Sequence, residues 1–543
     1  MKQERIIKMK RHLKPAISAM VAACLYIASP AAMAADERES LEQLRTTTLS
    51  LIELLVQEGV LSKSKADALI REAEAARQAA AEKDAAVKAE SAIDENAQAA
   101  ESGVKAVRVQ YVPEHVKNEM REEIKKDVMA KLNYKASERL GLPTWIDRIQ
   151  WEGDLRLRYE RDLFPEGNET PINLDLQGTN ITNTTEDRER WRVRARLGAK
   201  LNINDNVKGG IRIVTGGIND PVSPNQTLGN TGSKYSFSLD RAYLTYQMLD
   251  WFSFAGGQIT NPWVSSDLVW DSDMSFDGFA ANLKPRLSEN LKGFATAGAF
   301  AIQEVEGSDT VIAKGKWLYG AQTGLVWESS SRTSLMLGLG YYDFKNVQGV
   351  ANDFGFRNND KTAPQFRQKG NTLYDINSAN AGTLLGREIL GLASQFRLVN
   401  FNASLDVEAF SPVHVVLVGD YVKNVGFNMD EVAGKNPINT IGGNIGWMAK
   451  LQIGMPQTLK RHDWNVHGIY KHLETNAVLD AFTDSDFRLG GTNAKGWIVG
   501  GNYGLDKNTW LSLRWLSADE IETSPGFLPL SIDVLQLDLN AKF

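Results

Sequence analysis

The carboxy-terminal stretch Ile532 to Phe543 constrains this chain more than any other. From Leu535 onward it alternates without a break, with Leu535, Leu537, Leu539, Ala541 and Phe543 on one face and Gln536, Asp538, Asn540 and Lys542 on the other. Side chains that switch face at every residue define a strand, here with one apolar and one polar side. A strand between water and a soluble core shows the same pattern, but a soluble chain seldom ends on an aromatic residue that must be buried. The rest of the chain has to supply the sheet that receives it.

Size and composition bound that sheet. A length of 543 residues suffices for several domains or one large barrel, and 43% hydrophobic, 24% charged, 45 Gly and 16 Pro fits neither a disordered chain nor a helical membrane protein. Beyond the N-terminus no run approaches the roughly 18 apolar residues of a spanning helix, whereas a barrel strand gives only alternate residues to lipid. The net charge of -6 argues against a nucleic-acid partner. Residues 1–34 read as a secretory signal peptide, with a basic start (Lys2, Arg5, Lys8, Lys10, Arg11, Lys14), an apolar centre from Ala16 to Ala28, and the small-x-small cleavage pattern Ala32-Met33-Ala34. The one cysteine, Cys24, leaves with it, so the mature chain has no disulfide or thiolate chemistry.

Residues 35–145 read as a helical periplasmic extension. Leu41, Leu44, Leu51, Ile52, Leu54, Leu55, Val60, Leu61, Leu69 and Ile70 recur at helical spacing around Gly59, and Val116, Met120, Ile124, Val128 and Leu132 repeat the pattern after Pro113. One such stripe cannot bury itself alone. A coiled coil joining several subunits would cover it, and so would a hairpin packed on itself; a mobile periplasmic extension is the third reading. The Ala/Glu-rich middle, Ala73 to Ala100, has no bulky seam for one long coil.

Near Ile149 the period changes from helical to two, so residues 146–543 form the all-β part. Strands read at 149–160, 190–203, 207–216, 236–249, 251–260, 275–285, 291–303, 316–328, 332–344, 392–409, 412–424, 441–454, 462–474, 495–505, 508–517 and 531–543, about sixteen, an even number as single-chain bacterial barrels have. Short links such as Asn204-Asp205-Asn206 and Asp506-Lys507-Asn508 alternate with long ones such as 161–189, 217–235, 345–391 and 475–494. Both barrel ends then fall on the short-turn, periplasmic side. The fold class expected is a transmembrane antiparallel β-barrel with an N-terminal helical, partly coiled-coil-like segment.

The strings W-E-G-D-L-R-L-R-Y-E at 151–160, L-D-R-A-Y-L-T-Y at 239–246, D-L-V-W-D-S-D at 267–273, G-D-Y-V-K-N at 419–424, A-F-T-D-S-D-F at 481–487 and the closing D-V-L-Q-L-D-L-N-A-K-F resemble the putative porin family of Gram-negative outer membranes. The terminal Phe543 resembles the assembly signal of such barrels, with outer-membrane lipids and the barrel-assembly machinery as partners. The resemblance implies an outer-membrane porin, expected as a homotrimer, through which small hydrophilic solutes diffuse. It does not imply a particular solute.

Arginines carry the chemistry. Arg190, Arg192, Arg194 and Arg196 share one face of a strand while Trp191, Val193, Ala195 and Leu197 share the other. An arginine facing lipid at the bilayer midplane costs about 2–4 kcal/mol, so the four must face the lumen. The same alternation turns Arg156, Arg158, Arg212 and Arg241 inward, giving a pore-lining basic wall on four successive strands. Two readings compete for it. Either the wall draws anions, or carboxylates such as Asp154 and Glu160 neutralise it and it braces the barrel. Neighbouring guanidiniums about 7 Å apart repel by about 0.6 kcal/mol even in water, so mobile anions or an acidic loop should relieve them.

The segment Asn261 to Asp273 offers Asp267, Asp271 and Asp273 among Trp263, Leu268, Val269 and Trp270. That makes it a candidate constriction loop folded into the lumen, or else an external loop packed on its neighbours or on another subunit. His462, His467 and His472 are five apart on one strand, so His467 faces away from the other two and no common metal site is expected. No G-x-S-x-G, Walker loop or C-x-x-C is present, and neither enzyme activity nor a cofactor is expected. The function read from the chain is a channel favouring anions or carboxylate-bearing solutes. The alternatives are a tether between outer membrane and cell wall and a barrel hydrolase.

Overall fold

The computed structural model describes residues 144–543 apart from 177–180, 330–331 and 437–440. The signal peptide and the helical extension lie outside the described residues, except that the extension's last two positions open a short 3-10 turn, Thr144–Arg148. The chain then enters β1 (Ile149–Leu163), β2 (Arg188–Asn202), β3 (Val207–Val214), β4 (Ser238–Leu249), β5 (Phe252–Thr260), β6 (Ser275–Leu283), β7 (Leu291–Gln303) and β8 (Lys316–Ser329). It continues through β9 (Thr333–Lys345), β10 (Arg397–Phe410), β11 (Val413–Asn424), β12 (Ile445–Gly454), β13 (Trp464–Leu473), β14 (Ala494–Asp506), β15 (Thr509–Glu520) and β16 (Ile532–Lys542).

Each strand pairs antiparallel with the next, and β16 pairs back onto β1 from Asp154↔Lys542 to Leu163↔Asp533, which closes a sixteen-strand barrel. Closure removes every edge and so satisfies the backbone in lipid. Each strand expected from the sequence falls on one of the sixteen. The largest displacements are at starts, such as Arg397 where 392 was expected and Ile445 where 441 was expected. The 15 residues of β1 rise about 50 Å at ~3.3 Å each, ample for the hydrocarbon core even when tilted. The eight-residue β3 is too short for the wall beside β2. The loop after it makes up the difference, since Gln226–Thr227 pairs with β2 at Val193 and Arg192.

The two faces follow the alternation. Trp151, Leu155, Leu157, Trp191, Leu197, Val499, Leu513, Leu537 and Leu539 are exposed on the outside, as a lipid-facing band requires, while their neighbours turn inward. An apolar core also lies inside the barrel. Trp263, Leu268, Val269, Trp270 and Met274, from the loop between β5 and β6, pack against inward side chains Phe276, Phe300, Tyr342, Phe344, Leu398 and Val422. Trp263 and Trp270 meet Tyr342 edge-on, with ring centroids 5.1 and 5.2 Å apart. Burial there explains why a connecting loop carries large apolar residues. Among the described residues no helix is long and apolar enough to cross a membrane, which says nothing of strands.

Candidate functional site

The β1–β2 register sets Arg156 opposite Arg194, Arg158 opposite Arg192, Glu160 opposite Arg190 and Asp154 opposite Arg196. One and two strands further, Arg212 stands opposite Arg241. Like charges directly opposed across strands are destabilising, so such a wall needs anions. The chain supplies them. Glu160 Oε1 takes Arg190 Nε at 2.6 Å and Arg192 Nη1 at 3.3 Å. Asp154 takes Arg194 Nη2 at 2.9 Å and Arg196 Nε at 2.6 Å, and Arg212 pairs with Asp240. Arg156 lies 3.9 Å from Asp538 and donates to Asn225 Oδ1. Arg241 is the exception: it donates to Ser275 Oγ at 3.3 Å, and no described carboxylate forms an ion pair with it.

Arg158 departs from the expectation that it lines the pore. Its Nε lies 2.7 Å from Asp538 Oδ1 and its Nη1 3.0 Å from Asp486 Oδ1, and at 1% exposure it meets no open lumen. It ties β1 and β16 to a loop. Exposed fractions of 11% to 18% leave Arg156, Arg190, Arg192, Arg194, Arg196 and Arg212 in contact with water.

Only one of the three loop aspartates meets the arginines. Asp273 Oδ1 is 2.7 Å from Arg196 Nη1 and its Oδ2 3.7 Å from Arg194 Nη1, so it lies on the wall and not across the lumen from it. Asp271 accepts the backbone N–H of Asp273 at 2.8 Å and of Ser485 at 3.1 Å. Burial, then the charges of Asp484 and Asp267, push its carboxyl up to about 9. Asp267 is placed near Lys471, whose Nζ donates to its carbonyl at 3.2 Å, and burial raises its carboxyl to about 6. Asp267 and Asp271 hold the loop, and neither forms an ion pair with the wall arginines among the described residues, although Arg514 is near enough to act on Asp267.

The structure adds partners that no reading of the wall included. The loop between β13 and β14 also folds inward. Asp484 takes Lys471 Nζ at 3.0 Å, and Asp486 bridges Arg158 and Arg514. Burial works to raise the Asp486 carboxyl, but Arg158 and Arg514, then Arg156 and Arg192, hold it well below the ordinary carboxylate range. The signal was present in the sequence: Asp484 and Asp486 lie between Phe482 and Phe487, the same mixture of acid and aromatic that marks the first inward loop. Asp538 belongs to the polar face of the terminal strand. His462 lies in the turn before β13 rather than on the strand and meets Tyr503 Oη at 2.7 Å, while His472 on β13 lies 3.7 Å from Glu474. Beside the wall a cavity of ≈ 640 Å³ is lined by Asp240, Gln258, Asp273, Ser275, Asp277, Phe300, Gln303, Lys316, Gln365 and Phe482, among others.

A closed sixteen-strand barrel, apolar outside and charged within, defines an outer-membrane channel protein. The chain belongs to the putative porin family, whose sequence profile matches residues 45–543. Family and fold point to a channel rather than an enzyme. No curated protein matches the chain. Similar solved structures include the outer-membrane channel DcaP of Acinetobacter baumannii, at 12% identity and TM-score 0.38 over 73% of this chain and 97% of that one. OprB of Pseudomonas putida at high pH gives 12% and 0.42 over 73% and 95%, and OmpF of Salmonella typhi with daunomycin 10% and 0.37 over 73% and 97%.

Proposed function

We propose that this chain forms a water-filled channel for passive diffusion of small hydrophilic solutes, with a mild preference for anions and carboxylate-bearing solutes. The observation that carries the preference is an imbalance of charge. Nine guanidiniums (Arg156, Arg158, Arg190, Arg192, Arg194, Arg196, Arg212, Arg241, Arg514) gather with eight carboxylates (Asp154, Glu160, Asp162, Asp220, Asp240, Asp273, Asp486, Asp538). Surplus positive charge on one side of a lumen raises the local anion concentration. Ser275, to which Arg241 donates, lines the cavity, so a guanidinium with no described carboxylate at ion-pairing distance stands beside it. Asp220, Asp240, Asp273 and Asp277 line it too, which tempers the preference and suits solutes bearing a cationic group as well.

The long loops then face outward and the short turns face the periplasm, where residues 35–145 hang. Trimer formation, assembly through Phe543 and the periplasmic location of the extension are part of the same reading. Arg241→Glu is the direct test because Arg241 makes no ion pair among the described residues. Reversal potentials in a salt gradient should move towards cations, more at 0.01 M than at 1 M, as screening lengths fall from about 30 to about 3 Å. Unchanged selectivity at low salt would make the wall a neutral brace.

A further inference from the structure

The β10–β11 hairpin, on the short-turn side, contains a β-bulge: Val407 pairs with Val415 and Phe410 with Val413, leaving Glu408 and Ala409 to share the place opposite His414. A bulge re-aims the side chains beside it. Asp406 shares the inner face of β10 with Asn402, which reaches Gln322, and with Asn400, which reaches Asp420. His414 shares the inner face of β11 with Asp420, the acceptor of Ser266 from the inward loop. One donor atom from each of Asp406, Glu408 and His414 therefore comes within 4.8 Å of the other two, in partly buried surroundings.

His414 Nδ1 lies 2.9 Å from Asp406 Oδ1 and 3.2 Å from Oδ2. Among the described residues the Glu408 carboxylate has no side-chain partner, and neither acid pairs with a lysine or arginine. The neighbouring strands leave room, because the residue opposite His414 on β12 is Gly454 and the one opposite Asp406 on β9 is Ser334.

We propose that Asp406, Glu408 and His414 bind a divalent transition-metal ion of the zinc class at the short-turn mouth of the lumen. Two carboxylates held together without a cation repel, and a divalent ion relieves both at once. The imidazole selects zinc and its neighbours over calcium and magnesium, which take oxygen alone. Three protein donors fill three of the four positions of a tetrahedral zinc ion, and water or a passing anion takes the last. The ion displaces the hydrogen bond between His414 and Asp406 and any proton that it holds. Bound metal cancels the charge of both acids at the mouth.

The test is titration of the purified full chain in detergent with Zn²⁺ by calorimetry, and with Co²⁺ by visible absorption. Wild type should take up one equivalent that His414→Ala lacks and that Glu408→Gln binds at least tenfold more weakly. The remaining histidines are common to all three proteins, so the difference isolates this site. Glu408→Gln removes a side chain without a described partner and preserves the test if His414→Ala does not fold. Identical titrations for wild type and Glu408→Gln, or no uptake by wild type, would overturn the assignment.

Discussion

At the scale of single residues, closure depends on a hydrogen atom at Gly153. Its backbone N–H donates to Phe543 O at 3.1 Å and its carbonyl accepts the Phe543 N–H at 3.0 Å. A Cβ at this position would lie 2.4 Å from Phe543 Cζ and 2.7 Å from Arg196 O, and the second of these is backbone that cannot swing aside. Gly153→Ala should therefore unseat the terminal residue and lower the yield of folded, heat-modifiable protein on gels, with deletion of Phe543 lowering it further; wild-type yield from both would show that the contact is dispensable. Asp271 gives a pH dependence. Its folded-state value of about 9 lies above the unfolded value near 3.9, so the folded chain holds a proton that the unfolded chain releases between those limits. Stability should fall as pH rises through that window, by up to about 1.4 kcal/mol per unit. Unfolding midpoints from pH 5 to 9 should show this decline, and Asp271→Asn should flatten it; the same slope in both proteins would assign the dependence to other groups.

At the scale of elements, the clasp of the β13–β14 loop on the wall is the tie that the ion pairs make most costly to break. Removing one partner of a buried pair typically costs about 3–5 kcal/mol, because the other charge is left unpaired. Asp486→Ala leaves Arg158 with Asp538 and Glu160 but takes from Arg514 its described ion pair, so the loss should fall within that range, and the freed loop should raise single-channel conductance. Lower or unchanged conductance would mean that the loop does not narrow the path. Since Asp486 titrates below its unfolded value, its contribution is present above about pH 4 and is lost only as pH falls through the lower folded value, so the clasp should persist at pH 5. The strands were legible because each face has a single environment, and period two survives wherever one face meets lipid. The inward arginines were legible for the same reason. Their partners were not, since pairing depends on register and on which loops fold inward: Asp538 reaches Arg158 only through closure of β16 on β1, and Asp486 arrives from a loop more than three hundred residues away in sequence. The hairpin site of Asp406, Glu408 and His414 was equally hidden, because a bulge shifts the parity that the alternation rule assumes.

At the scale of the whole molecule, the barrel is a closed frame into which the β5–β6 and β13–β14 loops fold. If residues 35–145 form a separate periplasmic segment, their deletion should leave conductance intact, and protease added to intact cells should spare them; external cleavage there would reverse the topology. In the proposed function this frame encloses a conducting path biased by surplus guanidinium charge. Its most direct measurement is the reversal potential of the purified protein in a planar bilayer under a tenfold salt gradient with the low side at 0.01 M. Stepwise ion conductance with a reversal potential displaced to the anion side is expected, while a barrel that inserts without conducting, or one that reverses on the cation side, would exclude that function.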